Sequence, residues 1–171
     1  MMKKTSRPLE KNDQSPLNCA LRYLAHQPRS IRQMNDYLVK KGFDEDMINE
    51  TIVKLLEQKY LDDEIFTRLF VESRVNYKPK SKFALAYELN QKGIKSAVIE
   101  DILKNYDDQD LALKAIEPKI NLWLRLDFEK FKKKTLNFLQ YRGFSYDIAI
   151  SILSKFNQLE EHIGLKDKNE N

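Results

Sequence analysis

Eight basic side chains of this chain fall in three short clusters: Arg29 and Arg32; Lys78, Lys80 and Lys82; Lys130, Lys133 and Lys134. Guanidinium and ammonium groups gathered in this way bind by charge, to the phosphates of a nucleic acid or to an acidic protein surface, and transfer no group themselves. A charge run taken alone is most simply a solvated helix face. The three clusters stand at corresponding inter-helix corners of three successive units, however, and so predict a basic stripe along one side of the molecule. In the last cluster, helical spacing puts Phe128, Phe131, Thr135, Phe138 and Leu139 on one face. Lys130, Lys133 and Lys134 lie opposite, and Lys132 is nearer the apolar side, where its stem can snorkel.

The elements that carry these corners are marked by glycine. Gly42, Gly93 and Gly143 close the same motif 51 and 50 residues apart, as Leu38-Val39-Lys40-Lys41-Gly42-Phe43, Leu89-Asn90-Gln91-Lys92-Gly93-Ile94 and Leu139-Gln140-Tyr141-Arg142-Gly143-Phe144. A leucine one turn back, basic residues in the last turn and a glycine suited to the left-handed cap end one helix. The next helix repeats apolar residues in step: Ile48, Ile99 and Ala149, then Ile52, Leu103 and Leu153. Self-similarity at this period predicts stacked supersecondary units that bury a core only together.

Start and stop signals divide each unit into three helices. Ser15-Pro16 opens the first helix and Pro28 ends it, Ser30 with Gln33 makes a capping box, and a third helix runs from Asp44 to about Lys59. Asp62-Asp63 opens the second unit, whose first helix carries Ile65, Leu69 and Val75 to Tyr77; Ser81 caps the next, and residues 95–105 form the third. Asp107-Asp108 opens the third unit with a long helix that Pro118 is expected to kink or divide, followed by helices capped by Asp127 and Ser145, the last to about Asn157. Sustained period-two alternation is absent. The reading is an all-α fold: three tandem three-helix repeats over 15–61, 62–107 and 108–157, stacked into an elongated curved molecule, with a flexible tail at 1–14 and a polar tail at 158–171.

Catalytic constellations are missing from the sequence. His26 and His162 lie far apart, no His-Glu-x-x-His or paired Cys-x-x-Cys spacing occurs, and there is no glycine-rich phosphate loop. Cys19, the single cysteine, falls beside Ala20 on the first helix and reads as packing; Asp62 and Asp63 stand where a helix needs caps and negative charge. A non-enzyme with no cofactor and no metal is expected. Trp123, Tyr87, Tyr106, Phe144 and Tyr146 read as core or inter-repeat packing rather than base-stacking platforms, since none is interleaved with basic residues in an RNP-like pattern.

Of 171 residues, 42% are apolar and 11% aromatic, enough for a substantial core. Net charge is only +4, from 30 basic and 26 acidic residues, too mild to declare a nucleic-acid binder by itself. Its distribution is uneven: residues 68–95 hold seven basic groups against two acidic, and 108–157 nine against six, whereas 158–171 hold two against four. With no bilayer-length apolar run, no signal-type start and one cysteine, a cytoplasmic protein is expected, and a monomer by default.

Over about residues 18–157 the chain resembles the RecX family, regulators of the RecA recombinase. The resemblance is carried by Arg29-Ser30 before the helix ending Leu38-x-x-x-Gly42-Phe43, by Tyr60-Leu61-Asp62-Asp63-x-x-Phe66 continuing to Arg74, by Leu89-x-x-Lys92-Gly93-Ile94, and by Lys134-x-x-x-Phe138-Leu139-x-x-Arg142-Gly143-Phe144-Ser145. It implies three three-helix repeats lying in the groove of a RecA filament on single-stranded DNA. It also implies that the protein inhibits or modulates filament growth, ATP hydrolysis and strand exchange in recombination and the DNA damage response. Two departures concern local packing: Gln33-Met34 stands where an acidic residue and leucine are usual, and Thr135 takes the place of Met34 or Leu85, eight residues before the glycine. The alternative is a helical-repeat module that binds DNA or RNA directly, which steep salt dependence without RecA distinguishes.

Overall fold

The computed structural model describes the backbone of residues 15–163 and side chains through 156; the expected tail at 1–14 and residues 164–171 of the expected C-terminal tail lie outside it. Nine helices and no strand occur among the described residues: α1 Pro16–His26, α2 Ile31–Lys40, α3 Glu45–Glu57, α4 Asp63–Tyr77, α5 Lys82–Gln91, α6 Ser96–Leu103, α7 Asp108–Trp123, α8 Phe128–Tyr141 and α9 Tyr146–Ile163. The all-helical, three-triplet reading of the sequence holds. Pro118 stands inside α7 without ending it, and α9 continues to Ile163, past Asn157.

Polar caps set most helix starts. Ser15 accepts from the Asn18 amide, Asp62 from those of Glu64 and Ile65, Asp107 from those of Gln109 and Asp110, and Asp127 from that of Lys130. Each satisfies a backbone donor that the first helical turn leaves without a partner. Ser30 makes the full capping box with Gln33. At the other end of α2, the Gly42 amide donates to the Val39 carbonyl at 2.9 Å and the Phe43 amide to that of Leu38 at 3.4 Å; α8 ends the same way, from Gly143 to Gln140 and from Phe144 to Leu139. This reverse turn needs positive φ, and Gly42, Gly93 and Gly143 hold +85°, +81° and +87°.

Two compact bodies make up the described residues: those through Phe66 together with Lys92–Ile94, and Thr67–Gln91 with those from Lys95 onward. In the first, Ala20, Met34, Leu38, Ile48, Ile52, Leu55 and Leu61 form the core, with Cys19 and Tyr37 packed at its edge. In the second, α7, α8 and α9 pack on one another around Leu111, Ile116, Phe131, Leu139 and Ile152, and α5 packs on α6.

The three apolar residues by which the sequence marks α4 divide between core and solvent, Val75 buried and Ile65 and Leu69 exposed. On the same helix Phe66, Thr67 and Val71 are buried as well. The helix holds apolar residues on two sides, so periodicity alone did not choose between them.

Candidate functional site

The three basic corners are not equivalent. Arg29, Lys80 and Lys130 each stand thirteen residues before the closing glycine of their unit, yet of the three only Lys130 is exposed. The Arg29 guanidinium lies 3.9 Å above the Tyr23 ring, which stacks on Tyr37 with centroids 4.0 Å apart, and Lys41 approaches the Tyr37 ring. With the Gln27 amide turned so that its oxygen faces the guanidinium, that oxygen accepts from both terminal nitrogens of Arg29 at 2.7 and 2.8 Å. Arg29 is thereby committed to its own corner. Arg32 is exposed, pairs loosely with Asp36 at 4.0 Å, and lays its aliphatic stem against Gly93.

In the second corner Lys80 is tied to Glu88, whose other oxygen takes Arg74 at 2.9 Å. Burial alone would push the Glu88 carboxyl up, but hydrogen bonds from Lys80 and Arg74, and their charges, outweigh it and hold the group below its ordinary range. Lys78 is exposed and Lys82 half-buried. The third corner is the most open: Lys133 and Lys134 are exposed, and Lys130 reaches back 2.8 Å to its helix cap Asp127. That hydrogen bond, reinforced by charge, holds the carboxyl below and the ammonium above their ordinary values.

What each serine cap contacts was not legible in the sequence. The Ser30 hydroxyl donates to the Lys92 carbonyl at 2.7 Å, and the Ile31 amide donates to Asp63 at 2.9 Å. At the equivalent place in the second body, the Ser81 amide donates to the Arg142 carbonyl at 3.1 Å, and the Lys82 amide to Asp108 at 2.7 Å. The corner preceding one middle helix thus seats on the glycine turn that follows the next. Arg142, absent from the sequence-predicted set, donates to the Pro79 carbonyl at 2.8 Å and covers the Phe138 ring.

α8 is built differently. Its cap, Asp127, stands sixteen residues before Gly143, against twelve for Ser30 and Ser81, so α8 has one extra turn and buried Phe131 occupies the serine position. The second corner therefore meets the Arg142 end of α8, whereas Lys130, Lys133 and Lys134 lie in its first two turns, about 15 Å away along the axis. Within this body the two basic groups do not merge.

Sequence reasoning also placed Tyr87 and Tyr146 in packing roles, and the structure exposes both, at 60% and 55%; Trp123 and Phe144 are buried as expected. Phe128, expected on the apolar face of α8, is 45% exposed, because α8 starts at this residue, a turn before its first buried position. No group of three or more His, Cys, Asp or Glu side chains arranged to hold a metal occurs among the described residues, and no described helix is long and apolar enough to cross a membrane.

Tandem three-helix units with charged corners and seated glycine turns define a helical-repeat protein. Three family models match in order: the first three-helix domain of RecX over residues 17–55, the second over 62–103 and the third over 106–153. The chain belongs to the RecX family. It is 35% identical over 133 residues to the regulatory protein RecX of Chlorobium phaeobacteroides, covering 78% of this chain and 87% of that one. It is 30% identical over 148 residues to that of Clostridium perfringens strain SM101, covering 84% and 69%. Against the Lactobacillus johnsonii protein, at 28% identity, it spans only 55% of the relative's length. The crystal structure of RecX from Lactobacillus salivarius superposes with a TM-score of 0.70 at 27% identity, covering 88% of this chain and 99% of that one.

Proposed function

We propose that this protein is a non-catalytic cytoplasmic regulator that binds the RecA filament on single-stranded DNA. It inhibits or modulates filament growth, ATP hydrolysis and strand exchange in recombination and the SOS response. The observation that carries the reading is the ordered match of all three RecX three-helix domains. The exposed Lys133 and Lys134 on α8, with Lys78 at the second corner, supply contacts suited to an acidic protein surface or a phosphate backbone. Several weak contacts held in one body gain by effective concentration, so no single corner has to be strong.

Co-sedimentation with RecA filaments preassembled on single-stranded DNA with a non-hydrolysable nucleotide tests the reading. The protein is expected to pellet with filaments at ratios where bare DNA retains little of it, and Lys133→Glu with Lys134→Glu is expected to lower the pelleted fraction without changing helicity. Pelleting equal to that with DNA alone would leave direct nucleic-acid binding in place of filament binding.

A further inference from the structure

The second body exposes aromatic side chains where its repeat relatives carry polar ones. On α5, Phe83 is 77% and Tyr87 60% exposed. They stand at i and i+4, side by side on the helix surface and opposite buried Leu85 and Leu89. The same positions, ten and six residues before the glycine, hold Arg32 and Asp36 in the first unit and Lys133 and Asn137 in the third. The fold of the repeat therefore does not require aromatics there. Tyr141, the last residue of α8 and 88% exposed, directly precedes Arg142, whose carbonyl accepts from Ser81, two residues before Phe83. Tyr77, 87% exposed, ends α4 beside exposed Lys78.

Exposed rings thus stand on α5 itself, at Phe83 and Tyr87, and on the two chain segments that adjoin its start, at Tyr77 and Tyr141. Apolar surface left in water at several neighbouring positions marks an interaction site, and the charge of this corner selects the occupant. Lys78 is open, Lys82 is half-exposed, and the one carboxylate on α5, Glu88, is already matched by Arg74 and Lys80. Flat rings with cations beside them and no uncompensated acid on that helix suit unpaired bases, which stack on the rings while their phosphates meet the lysines. Duplex bases are already stacked and offer the rings nothing. We propose that Phe83 and Tyr87, flanked by Tyr77, Tyr141 and Lys78, form a base-stacking site for single-stranded DNA. This site deepens the filament-regulator reading by giving the DNA strand its own contact on this chain.

The test uses the full chain without RecA, with fluorescein-labelled oligothymidylate and a duplex of equal length. Phe83→Ala with Tyr87→Ala is expected to weaken single-strand binding roughly ten- to a hundredfold and to leave duplex affinity within about threefold, with unchanged circular dichroism. A Phe83→Trp variant retains single-strand binding, and its added indole emission is quenched by the oligothymidylate but not by the duplex. Unchanged single-strand affinity in the double variant, or emission indifferent to bound single strand, overturns the site. Loss of RecA regulation with single-strand affinity intact assigns the rings to the protein partner, and loss of self-association alone assigns them to a second copy; either result overturns stacking while leaving the regulator reading standing. Stacking with no effect of wild-type protein on RecA keeps this site and removes that reading.

Discussion

The corner at Ser30 and the corner at Ser81 occupy the same place in their units and solve the same packing problem with different bonds. Ser30 uses its hydroxyl toward the Lys92 carbonyl; Ser81 uses its backbone amide toward that of Arg142. In both, the next amide goes to an aspartate, Asp63 or Asp108. The seat of each corner is thus held fixed while the outer face varies, an Arg32–Asp36 pair in one unit and Phe83 with Tyr87 in the other. The two units share the seat, whereas the side chains on the exposed face of the same helix differ.

Glycine substitution gives the largest effect. A Cβ at Gly93 would come within 2.6 Å of the Arg32 Cβ, and one at Gly143 within 2.8 Å of the Ala84 Cβ, whereas at Gly42 nothing described lies within 4 Å. Gly93→Ala and Gly143→Ala are each expected to cost about 3 kcal/mol, from left-handed strain and overpacking together, and Gly42→Ala about 1 kcal/mol from strain alone. Thermal unfolding of the three variants checks the order; equal losses would mean that the seats carry no packing.

The two serines separate next. Ser30→Ala removes a buried hydroxyl that caps Gln33 and also donates to Lys92, and is expected to cost about 2 kcal/mol. Ser81→Ala, whose hydroxyl accepts from the Ala84 amide, costs about 1 kcal/mol. Denaturant midpoints compare them directly. Thr135 sharpens the contrast with the third unit. It is buried where Met34 and Leu85 sit, and its hydroxyl has no partner among the described residues. Thr135→Val keeps the shape, removes the orphan group and is expected to stabilise by about 1 kcal/mol.

Glu88 gives the smallest effect and a pH signature. Its folded-state pKa is depressed by Lys80 and Arg74 despite burial, so its contribution is present above the ordinary glutamate range and is lost as pH falls through the lower folded value. Glu88→Gln is expected to lower stability by about 1 kcal/mol at neutral pH and to flatten the decline between neutral and acid, read from melting temperatures across that range.

The triplets, most of the caps and the family were legible because capping and glycine turns are local: a serine, an aspartate or a left-handed glycine declares itself within four residues. The seats were not legible, since Ser30 meets Lys92 and Arg142 meets Pro79 across more than sixty residues. The basic corners were legible as charges, while their availability was decided by partners elsewhere in the fold, Tyr23 for Arg29 and Glu88 for Lys80. Phe83 and Tyr87 carried no signal of exposure because α5 is apolar around much of its circumference. Only the burial of Leu85 and Leu89 reveals which side remains open.

ATP hydrolysis by RecA on single-stranded DNA, followed while the protein is added at substoichiometric amounts, tests the central claim most directly. A change in hydrolysis well before one protein per RecA subunit is predicted for a filament-directed regulator. A change only when the protein saturates the DNA, or none at any ratio, would contradict it.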